Sequence, residues 1–254
     1  MPIRVTNEVD GIVVITVDHP PVNALPTDAW FELARLVRSH GADADVRAVV
    51  LAADGRGFNA GVDIKQIQSA DRPHTVLIDA NRGCYEAFAA VYECAVPVIA
   101  AVHGHCLGGG IGLVGNADVI VASDDAYFGL PEVDRGALGA ATHLSRLVPQ
   151  HRARAMVYLA ETVTAAELLA YGSVYRVVTP DRLADTALEV AAAIAAKSPT
   201  VIRAAKESLN GIDLWDVKRS YRFEQGFTFE LNLAGVADEH RDAFVTGRPT
   251  DVSR

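Results

Sequence analysis

The amino-acid sequence predicts an α/β fold, with a strand–helix repeating core followed by a helical C-terminal region. Three observations carry that expectation. Short β-branched apolar runs alternate with helix-spaced segments as far as about Val178, the pattern of a buried sheet flanked by helices. From Asp181 onward the chain reads as helix almost throughout. The chain has 254 residues and 50% hydrophobic side chains, enough to bury a sizeable core as one large domain or a core with a smaller appendage. The expected division is residues 1–180 for the core and 181–254 for the helical region.

The first strand is the run Gly11–Val17, stopped by His19-Pro20-Pro21. A helix follows, with Thr27 as its cap and Trp30, Leu33, Ala34 and Val37 on one face, ending at Gly41. Arg47–Ala53 is a buried-strand run broken by Asp54-Gly55-Arg56-Gly57. Gln66 to Thr75 is polar, contains Pro73 and is expected to be a mobile loop that shapes any nearby pocket. Thr75–Ala95 reads as a helix and Val96–Val102 as a strand with its proline near the start. Glycines then dominate, at 104, 108, 109, 110, 112 and 115, before a strand at Asp118–Ala122. Helices are expected at Ala140–Val148, Arg152–Ala160 and Thr164–Ala170. Beyond Asp181 lie an Ala-rich helix Leu183–Lys197, a Ser198-Pro199 helix start and an aromatic segment Trp215–Leu231. Its Phe223, Phe227, Phe229 and Leu231 are expected in the core. No internal repeat or coiled-coil heptad is visible.

Bulk properties exclude several classes of function. The net charge of −9 argues against nucleic-acid or anionic-membrane partners, which demand clustered Lys and Arg. Cys84, Cys94 and Cys106 make neither a metal spacing nor an even disulfide set, so a reducing, cytoplasmic setting is expected. The first ten residues lack the basic and apolar regions of a signal peptide, and no apolar run approaches membrane-spanning length.

Three segments carry the chemistry. Phe58–Lys65 follows a strand-like run and a glycine-containing loop, so its backbone amides are expected where a sheet edge opens. Gly108-Gly109-Gly110 leads into a short helix whose exposed amides would face the same opening. Two such amides on one oxygen make an oxyanion hole, although three glycines alone read more readily as a tight turn or a close helix contact. Glu132 is a lone carboxylate among apolar loop residues, where burial would raise its pKa into the proton-transfer range; the plainer alternative is a salt-bridged loop acid.

Together, F-x-A-G-x-D-I-K at Phe58, V-P-V-I-A-A-V-x-G-x-x-x-G-G-G at Val96 and F-G-L-P-E at Phe128 resemble the crotonase, or enoyl-CoA hydratase/isomerase, superfamily. Lys206–Asn210 and Asp238–Phe244 extend the resemblance along nearly the whole chain. It implies the crotonase (ClpP-like) fold of stacked ββα units, a C-terminal region for trimer assembly and CoA contacts, and a homotrimer or hexamer. It also implies an acyl-CoA substrate, with coenzyme A as part of that substrate and no separate cofactor; no metal is expected, because His103 and His105 have no third ligand beside them. Residue by residue, it assigns the oxyanion-hole amides to Val62 and Gly109, and CoA or substrate contacts to Ala24, Ala60, Asp63, Ile64 and Lys65. Glu132 falls on the second of the two hydratase glutamates, whereas the first falls on Gly112. One acid counts against efficient hydration but suffices for proton shuttling.

The stretches Phe128–Arg146 and Glu224–Leu233 resemble, more narrowly, the ring-opening CoA-thioester hydrolases of bacterial cholesterol catabolism. On that reading the substrate is a cyclic β-keto acyl-CoA: water attacks a ring ketone β to the thioester and the breaking C–C bond leaves a thioester enolate, with Arg135 and His143 as accessory groups, although a histidine in a helix is more often structural. The alternatives are a single-glutamate isomerase or hydratase of fatty-acid oxidation, and a silent acyl-CoA-binding subunit. A dinucleotide site is a weaker rival: Gly110-Ile-Gly112-Leu-Val-Gly115 matches G-x-G-x-x-G but comes late in the chain and away from a first strand. His103 and His105 are candidates to border the acyl pocket, and Cys106 reads as a buried small hydrophobe.

Overall fold

The computed structural model describes residues 2–250 other than 8, 71, 72 and 215. Strand β1 (Ile3–Asn7) pairs antiparallel with β2 (Ile12–Val17), Val5 opposite Ile15. As a half-exposed edge strand, β1 carries little apolar signal in the sequence and was not among the expected strands. Helix α1 (Thr27–Ala42) buries Trp30, Leu33, Ala34 and Val37 as its spacing predicts. Thr27, however, does not cap it. Pro26 holds the cap position, and the Thr27 amide and hydroxyl both donate to Gln66 Oε1, at 2.9 and 3.1 Å.

The same unit then occurs three times: a long buried strand, a tight turn, a three-residue strand and a helical segment. The first comprises β3 (Ala48–Ala53), β4 (Gly57–Asn59), α2 (Ile64–Gln68) and α3 (Pro73–Tyr92). Two helices therefore occupy most of the expected loop 66–75, of which residues 71 and 72 lie outside the described residues. The second comprises β5 (Val98–Val102), β6 (His105–Leu107) and α4 (Gly109–Val114). The third comprises β7 (Val119–Ser123), β8 (Tyr127–Gly129), a 3₁₀ turn at Pro131–Arg135 and α5 (Ala141–Leu144). The repeat is invisible in the sequence because equivalent positions share geometry rather than residue type. Helix α5 is one turn, where a helix to Val148 was expected.

Helix α6 (Gln150–Leu159), β9 (Thr162–Thr164), α7 (Ala165–Tyr171) and β10 (Arg176–Val178) complete the core. The long strands and the three-residue β10 form one sheet, in the order β1-β2-β3-β5-β7-β10, and the other short strands a second, β4-β6-β8-β9. In that second sheet β4, β6 and β8 are mutually parallel, with Cys106 opposite Phe128. Their carboxyl ends therefore point the same way and lie side by side. Three-residue strands are too short to show a period, so this sheet leaves no trace in the sequence pattern.

Helix α8 (Leu183–Ala195) covers one face of the larger sheet, laying Leu183, Ala187 and Ala191 on Val50, Ile99 and Val121. Helix α9 (Pro199–Ile212) is anchored by Lys206, whose buried Nζ donates to both oxygens of Asp118 at 2.8 and 2.7 Å. Asp118 also accepts from the Val98 amide, so one carboxylate ties the helix to the start of β5.

Helices α10 (Val217–Leu233) and α11 (Val236–Thr246) fold back over the ends of the short strands. The inner face of α10 is Tyr221, Gln225, Thr228 and Asn232. Phe223 and Phe227, expected in the core, are instead 71% and 42% exposed, and Phe229 and Leu231 are only half-buried. Hydrophobicity alone assigned them inward, but the helix buries its polar side over a cavity.

Candidate active site

The segments that follow β4, β6 and β8 converge because those strands are parallel neighbours. Gly61-Val62 follows β4, Gly108-Gly109 follows β6, and Pro131-Glu132 follows β8. All six residues line one cavity of about 250 Å³.

Backbone hydrogen bonds fix the first segment. The Leu25 amide donates to Gly61 O at 2.8 Å and the Asp63 amide to Leu25 O at 2.9 Å, which pins the chain on both sides of Val62. Buried Asn59 accepts from the Gly61 amide at 2.8 Å and donates to Asn23 O at 2.7 Å. Gly61 has φ +85°, and a Cβ there would come within 3.1 Å of the Gly109 nitrogen. Gly108 has φ +56°, and a Cβ on it would lie 2.6 Å from Glu132 Oε1. A Cβ on Gly109 would meet the Trp30 indole at 2.7 Å. These contacts are the physical reason for glycine here: the two backbones and the acid approach closer than side chains permit. Among the described residues, neither the Val62 amide nor the Gly109 amide has an acceptor. Two unspent donors beside a carboxyl group can hold a developing oxyanion while the acid moves a proton.

Glu132 is held in an unusual state. Its Oε2 is shut away from solvent without a hydrogen-bond partner. Its pKa is raised to about 8, chiefly by burial, which its own backbone amide opposes; nearby Glu224 adds to the rise and Arg135 counters it. Glu224 is itself pushed up by burial, and it accepts from the Ala141 and Thr142 amides at 2.9 and 3.3 Å. It thereby anchors the turn that follows Glu132. Arg135 lines the cavity and lies 4.1 Å over the Phe244 ring.

The other residues singled out from sequence divide clearly. Ala60 and Ile64 line the cavity with Val62; Asp63 and Lys65 do not but adjoin lining residues in sequence, and Ala24 lies off it, next to Leu25, which bonds Gly61 and Asp63. Asp63 caps α2, accepting from the Lys65 amide at 3.0 Å. His143, expected as an accessory group, is buried away from the cavity. Its Nδ1 faces the Asn116 amide nitrogen at 2.9 Å, its ring packs on Phe88 and Tyr221, and burial, then Arg146, lowers its pKa to about 3. It is therefore a neutral packing residue.

His103 and His105 also lie off the cavity, bonded to Gly55 O and Val22 O. Cys106 is fully buried and absent from the lining. Gly110 and Gly112 serve close packing inside α4: a Cβ on Gly110 would meet Asn59 O at 2.9 Å, and one on Gly112 would meet the Phe88 ring at 2.2 Å. That accounts for the G-x-G-x-x-G pattern without a dinucleotide.

Several lining residues carry no signal in the sequence motifs. Cys84 comes from α3, and Tyr221, Thr228, Asn232 and Arg241 come from α10 and α11. Only the polar i, i+4, i+7 stripe Tyr221, Gln225, Thr228 along α10 hinted at a wet inner face.

The chain belongs to the enoyl-CoA hydratase/isomerase family, whose model matches residues 7–228. Within that family it is 66% identical over 254 residues, spanning 100% of this chain and 98% of the relative, to the (7aS)-7a-methyl-1,5-dioxo-2,3,5,6,7,7a-hexahydro-1H-indene-carboxyl-CoA hydrolase of Rhodococcus jostii. The Mycobacterium tuberculosis protein of the same name is 68% identical over 245 residues, 96% of this chain and 99% of that one. Among solved structures, an enoyl-CoA hydratase/isomerase from Pseudoalteromonas atlantica superposes with a TM-score of 0.87 at 25% identity, each chain covered fully. A probable enoyl-CoA hydratase from Mycobacterium thermoresistibile gives 0.82 at 28% identity, covering 98% of this chain and 99% of that one. The crotonase fold expected from the motifs is thus the fold observed.

Proposed function

We propose that this protein hydrolyses a ring C–C bond of a cyclic keto acyl-CoA in steroid (cholesterol) catabolism, the hexahydroindene class of substrate named for its relatives at 66–68% identity. The observation that carries the chemistry is the meeting of two unspent amides, Val62 and Gly109, with one buried carboxyl, Glu132, in a single cavity. The amides hold the thioester oxygen as it gains charge. Water, activated by ionised Glu132, adds to the ring ketone; the C–C bonding pair moves into the system conjugated with the thioester, and Glu132 returns the proton to carbon. With a pKa near 8, Glu132 can serve in both directions near neutral pH.

The space where a hydratase's first glutamate belongs is filled by Phe88 against Gly112, which favours this reaction over hydration. Ala60, Ile64, Ala24, Asp63 and Lys65 are the proposed CoA and substrate contacts. The protein groups and water supply everything the reaction requires, so no cofactor beyond the substrate's own coenzyme A is invoked. Leu209, Ile212, Phe223, Phe227 and Leu233 expose apolar surface on α9 and α10, which supports assembly into a trimer or paired trimers, with the region 181–254 serving that assembly. Three free, buried cysteines support a cytoplasmic location, and among the described residues no helix is long and apolar enough to cross a membrane.

The test is turnover of the hexahydroindene carboxyl-CoA in ¹⁸O-enriched heavy water. One ¹⁸O in a new carboxylate supports the proposal. A double-bond shift with solvent deuterium and no gain of water identifies an isomerase, and binding without turnover identifies a silent subunit.

A further inference from the structure

The C-terminal wall of the cavity carries a charge that the proposed scheme leaves unused. Arg241, on α11, lines the cavity yet is only 6% exposed. Its Nη1 donates to Asn232 Oδ1 and its Nη2 to Asp238 Oδ1, while its Nε is buried without a partner. A buried guanidinium with an unused N–H is costly to maintain unless an acceptor arrives during function. Arg135 brings a second guanidinium to the same cavity. Glu132 is the one acid that lines it among the described residues, and burial keeps that acid largely protonated at neutral pH. Asp238 offsets Arg241 only in part, because its side chain is 57% exposed to water. The cavity is therefore cationic where Arg241 and Arg135 line it.

Ring opening by water creates one charge that the acyl group of the substrate lacks. The water oxygen bonds to the ketone carbon, the ring C–C bond breaks, and its electron pair passes into the thioester-conjugated system. One water proton ends on the ring carbon through Glu132; the other leaves the new carboxylic acid, so the product carries a carboxylate. Atoms balance with one water, and nothing is oxidised or reduced.

We infer that Arg241, supported by Arg135, is the receptor for the ring-ketone oxygen under attack and for the carboxylate it becomes, and so selects acyl groups bearing an oxygen function remote from the thioester. This inference rests on the ring-opening reading. A guanidinium suits the task because it stays charged and offers a planar fork that matches a carboxylate. Asn232 and Asp238 hold that fork in place.

Isothermal titration of the full-length protein with glutaryl-CoA, valeryl-CoA and coenzyme A tests the receptor without turnover, since the first two differ only in a terminal carboxylate against a methyl. Wild type is expected to prefer glutaryl-CoA by about tenfold, the scale of one charge-assisted hydrogen bond. Arg241→Gln should reduce that preference to within about twofold while leaving coenzyme A affinity unchanged, and Arg241→Lys should retain part of it. Asp238→Asn, at a solvent-facing carboxylate, should raise the preference by roughly threefold through loss of the competing charge; it remains decisive if Arg241→Gln does not fold. The receptor is overturned if wild type shows no preference, if Arg241→Gln weakens all three ligands equally, or if Asp238→Asn lowers the preference. Turnover of the hexahydroindene thioester is scored separately. Absent turnover with an intact carboxylate preference refutes ring opening but not the anion site, whereas turnover without the preference refutes the receptor alone.

Discussion

Adding a single methyl group at Gly112 should destabilise the protein through Phe88. The Cβ of Gly112→Ala would lie 2.2, 2.3 and 2.5 Å from three carbons of that ring, against the 3.5–4.0 Å at which carbons rest in contact. The ring must retreat by roughly 1.3 Å, the difference between those separations. It has nowhere to go: Phe88 is 2% exposed and packs against Trp30, His143 and Tyr221, with ring centroids 5.7, 5.0 and 5.2 Å away. Overpacking of this kind costs about 1–3 kcal/mol, and the severity of the overlap puts this case toward the upper end. Replacing a helical glycine with alanine returns at most about 1 kcal/mol, so destabilisation wins.

Urea unfolding at fixed protomer concentration measures the effect, with Gly112→Ala made in both the native and the Phe88→Ala background. In the second background the methyl group enters vacated space, and the substitution should become neutral or stabilising. A coupling energy of about 2 kcal/mol or more is expected between contacting residues. Equal effects in the two backgrounds, within about 0.5 kcal/mol, would refute the reasoning. The same wedge predicts that Gly112→Glu alone will not confer hydration of a linear enoyl-CoA.

Glu132→Gln should lower kcat for ring opening by at least about 100-fold while leaving thioester affinity nearly intact. Its stability effect has a definite sign. Because the folded pKa is raised from 4.5 to about 8, the native state holds a proton that the unfolded chain has lost; wild-type stability therefore falls as pH rises through that window, and Glu132→Gln should lack that decline. Parallel wild-type and variant melting curves from pH 5 to 8 would count against a buried carboxyl. Gly61→Ala forces a side chain to φ +85° and a Cβ to within 3.1 Å of the Gly109 nitrogen, so the two amides should separate and kcat fall by about 100- to 1000-fold, with coenzyme A affinity spared. Unchanged kcat would remove those amides from the mechanism. Lys206→Met strands Asp118 half-buried beside the Val98 amide and should cost about 3 kcal/mol in urea unfolding; Asp118→Asn in the same chain should recover part of that loss.

Much of the scaffold was legible from residue pattern. The long strands β2, β3, β5 and β7 announced themselves as β-branched runs, and α1 and α3 by their apolar spacing, because each buries one local face. The second sheet was not legible. Its strands are three residues long, and their partners lie some 20–50 residues away, so their identity comes from pairing rather than from local propensity. Hydrophobicity misassigned Phe223 and Phe227 for a related reason: α10 turns its polar stripe to a cavity that only the folded chain creates. His143 read as a candidate because its residue type is reactive, but its surroundings hold it neutral.

Residue type and spacing by themselves determined the α/β class, the glycines that permit close backbone approach, the lone acid at position 132 and the absence of its partner at position 112. Tertiary structure alone decided that the ends of three parallel short strands meet, that Glu132 is dry enough for its pKa to reach about 8, and that Arg241 closes the cavity from a helix more than a hundred residues away. The physical reason is the range of the forces involved. Backbone strain and helix or strand preference act between near neighbours, whereas burial and charge–charge interaction depend on everything that surrounds a group after folding.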